Sequence, residues 1–572
     1  MDRTAWIAVT LCVLGLFAWQ IWTSRQAAPR PAVGTGTSPG VSPSATKTAE
    51  QTSTTPAMPQ PTTAATAAPS ATPVEFAEQT ETLRNSDVEL HFTNRGGGIA
   101  EAILPNYPAE HDESVTLNSS ARPPIGAIID DPAAPVLPEY TIARDAETVT
   151  LEYVTPEQVT IRKKFSFATT NEKKENFLAN LDLDFVNRGA KPYANPGYFL
   201  AVGSAAPIHA SDYPTYTRLV WLTGGGTKGI DVGWFAEGGG FLGIGQHPAR
   251  PYYTQSVNSA EWVAASSQFF TSLVVPLTGK ADAVWGKRFD INPAKKTYGL
   301  EGAMHLPPFR VDAGQTYTAR FQLYLGPKLY HRLAQLDHNQ AEVMEFGVFK
   351  IICQALLNIL NTLHSFLGNY AAAILALTTI VKLSLWPLQN KATASMRRMS
   401  ALSPKIQELR EKYKDDPTRM NQEVMKLYKE YGINPVGGCL PMLIQIPIFF
   451  GLFTMLRQAV ELRGASFLWI KDLSQPDTVG HLPILGWPIN VLPLIMAATS
   501  FWMTHLTPKS GDPTQQRMMM FMPIIFIVFC YNFAAALALY YTAQNLFSIL
   551  QLYQNRKQPM PTLEKLPKRA RR

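Results

Sequence analysis

The chain has 572 residues, with 51 Lys+Arg against 44 Asp+Glu and four cysteines. So few cysteines exclude a small disulfide scaffold, and 46% hydrophobic against 17% charged residues excludes global disorder. The length leaves room for three or four domains at ~150 residues each. Charge divides the chain: residues 346–572 carry 24 Lys+Arg against 11 Asp+Glu, and residues 1–345 carry 27 against 33. A basic half calls for a membrane surface or a nucleic acid as partner, and the hydrophobic runs decide between them.

Thr4–Trp22 is a 19-residue apolar run with Trp6, Trp19 and Trp22 near its ends. Its helical rise of about 28 Å crosses a hydrocarbon core. A cleaved signal peptide is the competing reading, but its apolar region is shorter and ends at a small-x-small site. None follows Trp22, so residues 1–23 read as a transmembrane anchor. Residues 24–74 hold nine prolines among Ala, Thr, Ser and Gly, without Leu, Ile or an aromatic ring. Such a segment cannot bury enough apolar area to offset its ordering entropy and reads as a disordered tether.

Residues 75–335 alternate with period two, as in Val88–Phe92, Thr148–Tyr153, Val159–Phe165 and Leu181–Phe185. Turn clusters such as Asn94-Arg-Gly-Gly-Gly98 separate them, which predicts an antiparallel β-sandwich. Gly224-x-Gly226-x-x-Gly229 and Gly238-x-Gly240-x-x-Gly243 match a dinucleotide fingerprint, but neither opens a helix after a strand. Both read as hairpin glycines.

From Phe346 to His364 the chain is apolar except for Lys350, Gln354, Asn358 and Asn361, spaced as one helical stripe. That is an interfacial amphipathic helix over 346–365. Asn369–Pro387, Pro435–Leu456 and Leu482–Leu506 are span candidates, and Met518–Asn555 runs 38 residues without a formal charge. The last is too long for one crossing at ~20 residues and should fold back near Asn532-Phe533-Ala534. Five spans over 366–555 therefore follow the sandwich, six with the anchor. The 388–434 loop has ten Lys/Arg, the tail after Asn555 seven, and the 461–481 loop two. Lys/Arg excess marks the cytoplasmic side, so both termini are cytoplasmic and the sandwich lies across the membrane.

Within 388–434, Met399, Leu402, Ile406, Leu409 and Tyr413 and then Met420, Val424, Leu427 and Tyr431 are spaced by threes and fours around Asp415-Asp416-Pro417. Two short antiparallel helices follow. A loop this long and basic docks something anionic. The tail at 556–572 is basic: anionic lipid is one partner and ribosomal RNA another. No DNA partner is expected.

Nothing nominates a nucleophile–base pair. Cys12, Cys353, Cys439 and Cys530 form no metal spacing, and no cofactor is called for. Lys382 is the informative residue, a charge inside a span that costs at least about 2.5–3.5 kcal/mol at mid-membrane. It either snorkels to the headgroups or faces a wet cavity. Thr378 lies one turn earlier, and Gln445, Gln544 and Asn545 are further polar groups in spans.

Asn434-Pro-Val-Gly-Gly-Cys-Leu-Pro-Met-Leu-Ile-Gln-Ile-Pro-Ile-Phe449, with Pro404–Gln407, Val460-Glu-Leu-Arg463 and Leu539-Tyr-Tyr541, resembles the YidC membrane protein insertase family in its Gram-negative form. The order of parts agrees over nearly the whole chain. The resemblance implies a polytopic α-helical membrane protein of the inner membrane. Its five-helix core would enclose a hydrophilic groove, and its large β-sandwich would be periplasmic and akin to sugar-binding folds. It implies Lys382 as the groove cation, where the family usually has Arg, with Thr378 and Gln445 beside it and Tyr540 and Tyr541 touching substrate. It implies nascent membrane proteins as clients, and the ribosome and the Sec translocon as partners. Two other readings stay open: a solute transporter, and a membrane-anchored periplasmic sugar-binding protein.

Overall fold

A computed structural model of the chain describes residues 76–109, 113–119, 122–168, 176–238, 247–294, 296–433, 440–483, 486–507 and 513–557. The expected anchor and tether, Cys12, Cys439, the start of the Asn434–Phe449 motif and the tail beyond 557 lie outside these residues.

Alternation over residues 80–327 builds antiparallel sheets. The largest has nine strands in the order Gly226–Asp231, Arg218–Thr223, Trp262–Ser266, Phe270–Pro276, Thr316–Pro327, Leu178–Asn187, Val159–Phe167, Thr148–Val154 and Thr141–Arg144. A five-stranded sheet faces it, ordered Tyr253–Ala260, Ala281–Asn292, Thr297–Leu306, Tyr198–Ala205 and Ile128–Ile129. Inward rings such as Trp221, Trp262, Phe165 and Phe185 are fully buried between them. Ser272 Oγ ties the layers by donating to Val202 O at 2.5 Å. The four runs read as strands fall on strands, with Val88 just ahead of its strand Glu89–Thr93. Gly224 and Gly225 turn the hairpin between Arg218–Thr223 and Gly226–Asp231, as a hairpin reading of that glycine pattern requires. Of the second pattern, Gly240 and Gly243 lie outside the described residues.

The glycine cluster after Asn94 has a physical cause. Gly96 and Gly97 have φ of +76° and +60°, a left-handed region costly for side chains. Their carbonyls accept from Lys163 Nζ at 2.9 and 2.7 Å. Lys163 is fully buried, with its ammonium 4.5 Å from the Tyr140 ring centroid. Burial holds that ammonium well below the ordinary lysine range. The cation has carbonyls and a π-face to offset its lost hydration.

The described residues contain nine helices: α1 Tyr330–Leu333, α2 Lys350–Leu367, α3 Tyr370–Ala401, α4 Ser403–Lys412, α5 Pro417–Glu430, α6 Leu440–Gln458, α7 Val491–Leu506, α8 Pro513–Cys530 and α9 Ala535–Arg556. In α2 the Cys353, Leu356, Leu357 and Leu360 face is buried, and Ile351 and Phe366 are exposed. The helix α3 continues through Pro387 for 32 residues, past the end that its sequence suggested. The proline removes one donor inside the helix without ending it. Asp416 caps α5 by accepting from Arg419 N at 3.0 Å. Leu402, Ile406 and Ile433 then form the seam of the α4–α5 hairpin with Met399, Val424, Leu427 and Tyr431. Between α8 and α9 the turn falls at residues 531–534. Among the described residues one helix, α3, is long and apolar enough to cross a membrane. The helix α7 and the Met520–Cys530 part of α8 are apolar but shorter.

The Gly97→Ala substitution would place a Cβ 2.6 Å from the Tyr140 ring at positive φ. It should cost about 1–3 kcal/mol, read as a lower thermal midpoint of the purified full-length chain. An unchanged midpoint would show that this turn is not constrained.

Candidate functional site

Helices α3 and α9 run parallel and meet along a polar seam. It begins at Lys382, which is 3% exposed despite its charge. Lys382 Nζ turns inward, donating to Ser548 Oγ of α9 at 2.7 Å and to Gln389 Oε1 at 3.4 Å. Ser548 Oγ in turn donates a hydrogen bond to Gln544 O at 2.9 Å. Further along, Asn390 Oδ1 accepts from Gln551 Nε2 at 2.7 Å and from Asn555 Nδ2 at 3.2 Å. Gln551 also reaches Trp386 O at 3.3 Å, and Arg397 Nη1 donates to Asn555 O at 2.8 Å. From Lys382 to Arg397 the seam spans about 22 Å of helix.

These contacts follow from helical spacing. Gln544, Ser548, Gln551 and Asn555 recur at four, three and four residues, so one face of α9 is polar. Lys382, Trp386 and Asn390 lie on the facing side of α3 at steps of four. Among the described residues no carboxylate lies within ion-pair distance of Lys382. Its neighbours are neutral oxygens, and its charge remains available to an incoming anion.

The other named residues surround the upper part of this seam. Thr378 is fully buried and donates to Ile374 O at 2.7 Å, one turn back in its own helix. Gln445 of α6 sits beside the Tyr540 hydroxyl of α9. Among the described residues, Gln445 Nε2 and Tyr540 Oη are both buried and have only each other's side chains as polar company, short of good hydrogen-bond geometry. Two such groups mark a place suited to water or to a polar segment. Tyr541 belongs to a different environment. Its ring packs on Phe526 at 4.9 Å and on Phe449 at 5.3 Å, at the seam of α6 and α8. Lys382, Thr378, Gln445 and Tyr540 thus look into the interior, and Tyr541 lies on an aromatic flank.

Sequence reasoning missed Ser548, Gln389, Asn390, Gln551 and Asn555. Their three-and-four spacing was the available signal. Asn545 was noticed as a polar group, and its role is to fasten. Its Nδ2 donates to Ser500 Oγ at 2.8 Å and to Thr499 Oγ1 at 3.1 Å, joining α9 to α7. The helix α9 is thereby held by polar contacts on both sides.

Two family models match the chain. One, described as the YidC periplasmic domain, covers residues 81–359; the other, described as 60Kd inner membrane protein, covers residues 362–561. A protein named membrane protein insertase YidC from Syntrophus aciditrophicus is 30% identical over 98% of this chain and 100% of its own length. The chain belongs to the YidC membrane protein insertase family. A second YidC relative, from Syntrophobacter fumaroxidans, is 40% identical over 51% of this chain and 53% of its own length. A solved structure titled as an active YidC insertase with its first transmembrane domain resolved is 20% identical. It covers 85% of this chain and 94% of its own, with a TM-score of 0.35. The two YidC matches meet within α2, where the β-rich periplasmic domain gives way to the inner-membrane part. YidC proteins are insertases rather than enzymes.

Asn545→Leu should loosen α7 from α9 and cost about 1 kcal/mol, measured as a lower unfolding midpoint in detergent. Parental stability would remove Asn545 as a fastener.

Proposed function

We propose that this chain inserts nascent membrane proteins into the bacterial inner membrane through a polar groove lined by α3, α6 and α9. The carrying observation is Lys382, a buried ammonium hydrogen-bonded only by neutral side chains, at the head of a seam of amides. A client's polar flank would cross hydrocarbon at high cost. Amides, hydroxyls and water in the groove shorten the apolar path. The ammonium attracts acidic residues of the flank, and the client's apolar segment leaves into lipid past the aromatic flank at Tyr541. Burial of about 20 apolar residues drives the step without a nucleotide.

The proposal includes six spans: the anchor at 1–23 and five in the core at 366–555. Residues 24–74 are the tether, 75–335 the periplasmic sandwich, 346–365 the interfacial helix, and 556–572 the basic tail. Both termini and the 388–434 hairpin face the cytoplasm, supported by their Lys/Arg excess. The hairpin and tail would meet the ribosome or anionic lipid, and the Sec translocon would share larger clients. The relatives' names support the insertase reading over a transporter or a sugar-binding protein.

Depletion of the chain should leave small, short-tailed membrane proteins uninserted, and normal insertion would sink the reading. Lys382→Ala should reduce insertion several-fold for clients with acidic flanks and less for neutral ones, while Lys382→Arg is tolerated. Equal losses for both client classes would assign Lys382 to packing.

A further inference from the structure

The Val460-Glu-Leu-Arg463 stretch takes no part in the polar seam. It lies just past the C-terminus of α6, beside Arg457 in that helix's last turn. Three bodies meet at Arg457. Its guanidinium carbon is 3.8 Å from the ring centroid of Tyr213 in the sandwich, 4.0 Å from that of Phe453 in α6, and 4.7 Å from that of Phe533 in the α8–α9 turn. The Arg457 carbonyl accepts from Gln268 Nε2 of the sandwich at 2.8 Å. Six residues on, Arg463 Nη2 donates to Pro108 O of the sandwich at 2.7 Å and lies 2.9 Å from His209 Nε2.

The loop that begins at Arg463 also closes over the start of α9. Ala534 offers α9 no side-chain cap. Ala535 N instead donates to Gln475 O at 2.8 Å, and Ala536 N to Leu473 O at 3.0 Å. Loop carbonyls thus satisfy amides that a helix N-terminus leaves open. The sandwich touches both sides of this closure. Ser211 Oγ hydrogen-bonds Gln475 Oε1, and Tyr213 Oη donates to Asn532 O at 3.3 Å.

We propose that Arg457 and Arg463 are positioning residues that dock the sandwich onto the helical core. Docked there, the sandwich holds the 463–483 segment over the N-terminus of α9 and keeps that end of the groove shut. The requirement for arginine at 457 is chemical. Among the described residues no carboxylate pairs with Arg457; its surroundings are rings, together with the Tyr216 side chain that hydrogen-bonds it. A planar guanidinium stacks on several faces at once, whereas a lysine ammonium is a compact, strongly hydrated point charge. The consequence for insertion rests on the insertase reading; the docking is a property of the resting chain.

Hydrogen exchange on the full-length chain in proteoliposomes tests both parts. Arg457→Ala should speed exchange at least tenfold in peptides covering 207–217, 463–483 and 533–536. Peptides of the Leu178–Asn187 strand and of the α3–α9 seam should keep parental rates. Arg457→Lys should fall between, a graded response that loss of charge alone would not give. Tyr213→Leu leaves the core untouched and should reproduce the loop effect. If Tyr213→Leu folds and the 463–483 segment exchanges at parental rates, the sandwich does not hold the closure and the proposal fails. Insertion of a short-tailed client into the same proteoliposomes should fall several-fold with Arg457→Ala. Loosened docking with parental insertion would overturn the functional consequence. A parental chain that inserts nothing would instead overturn the insertase reading and leave the docking result standing.

Discussion

A cation buried in an apolar helix bundle must be solvated by the protein itself, and much of this core's architecture follows from that requirement. The Lys382 ammonium recruits Gln389 within α3 and Ser548 across the interface, and the Ser548 bond fixes the rotation of α9 against α3. Once α9 faces α3 with its Gln544, Ser548, Gln551 and Asn555 side, Asn545 on the adjoining face meets α7. The same rotation turns Tyr540 toward Gln445 and sends Tyr541 to the other side, against Phe449 and Phe526. A single charge thereby sorts polar from apolar surfaces around one helix. Hydrogen bonds between spans are modest individually, but here they are arranged in series, so that the register of each depends on the last.

The two ends of this core are built differently. At the Arg397 end the seam consists of side-chain amides and a guanidinium, groups that exchange partners readily with water. At the Ala535 end the polar groups are backbone amides, capped by backbone carbonyls of a loop that the sandwich grips. Side-chain hydrogen bonds can open one at a time, whereas the backbone caps release only when the whole loop moves. The proposed insertion pathway, which admits polar segments from one side and resists leakage from the other, calls for this asymmetry. It arises from helix termini and loop geometry without a dedicated gate.

Legibility in the sequence followed the range of the interactions. Strands announced themselves by alternation, because each needs only its own inward and outward faces, and Thr148–Val154 and Leu178–Asn187 fell where the pattern put them. The α4–α5 hairpin was legible for the same reason, its seam being local. Lys382 stood out because a charge in an apolar run is rare. Its partners Ser548 and Asn390 did not, since pairing them requires knowing which faces of α3 and α9 meet across more than 150 residues. Pro387 misled by local chemistry: it suggested a helix end, and the helix continued because neighbouring turns keep their bonds.

The charge asymmetry between the two halves of the chain has a structural counterpart in how each cation is held. Arginines and lysines of the hairpin sit at the surface with water at hand. Lys382 is withdrawn from it and Arg457 and Arg463 are half-buried; among the described residues no carboxylate lies within ion-pair distance of the three, and Asp212 and Asp472 act on Arg463 from farther off. Hydroxyl and amide oxygens hold the first, aromatic faces the second, and a backbone carbonyl and an imidazole the third. A carboxylate would neutralise each charge, and Lys382 could then no longer attract an acidic flank. It would also place a second buried charge beside Arg457, with its own desolvation cost. Neutral partners compensate the lost hydration and leave the charge intact. In the proposed mechanism that charge acts on a client at Lys382, and at Arg457 it faces three rings at the other end of the core.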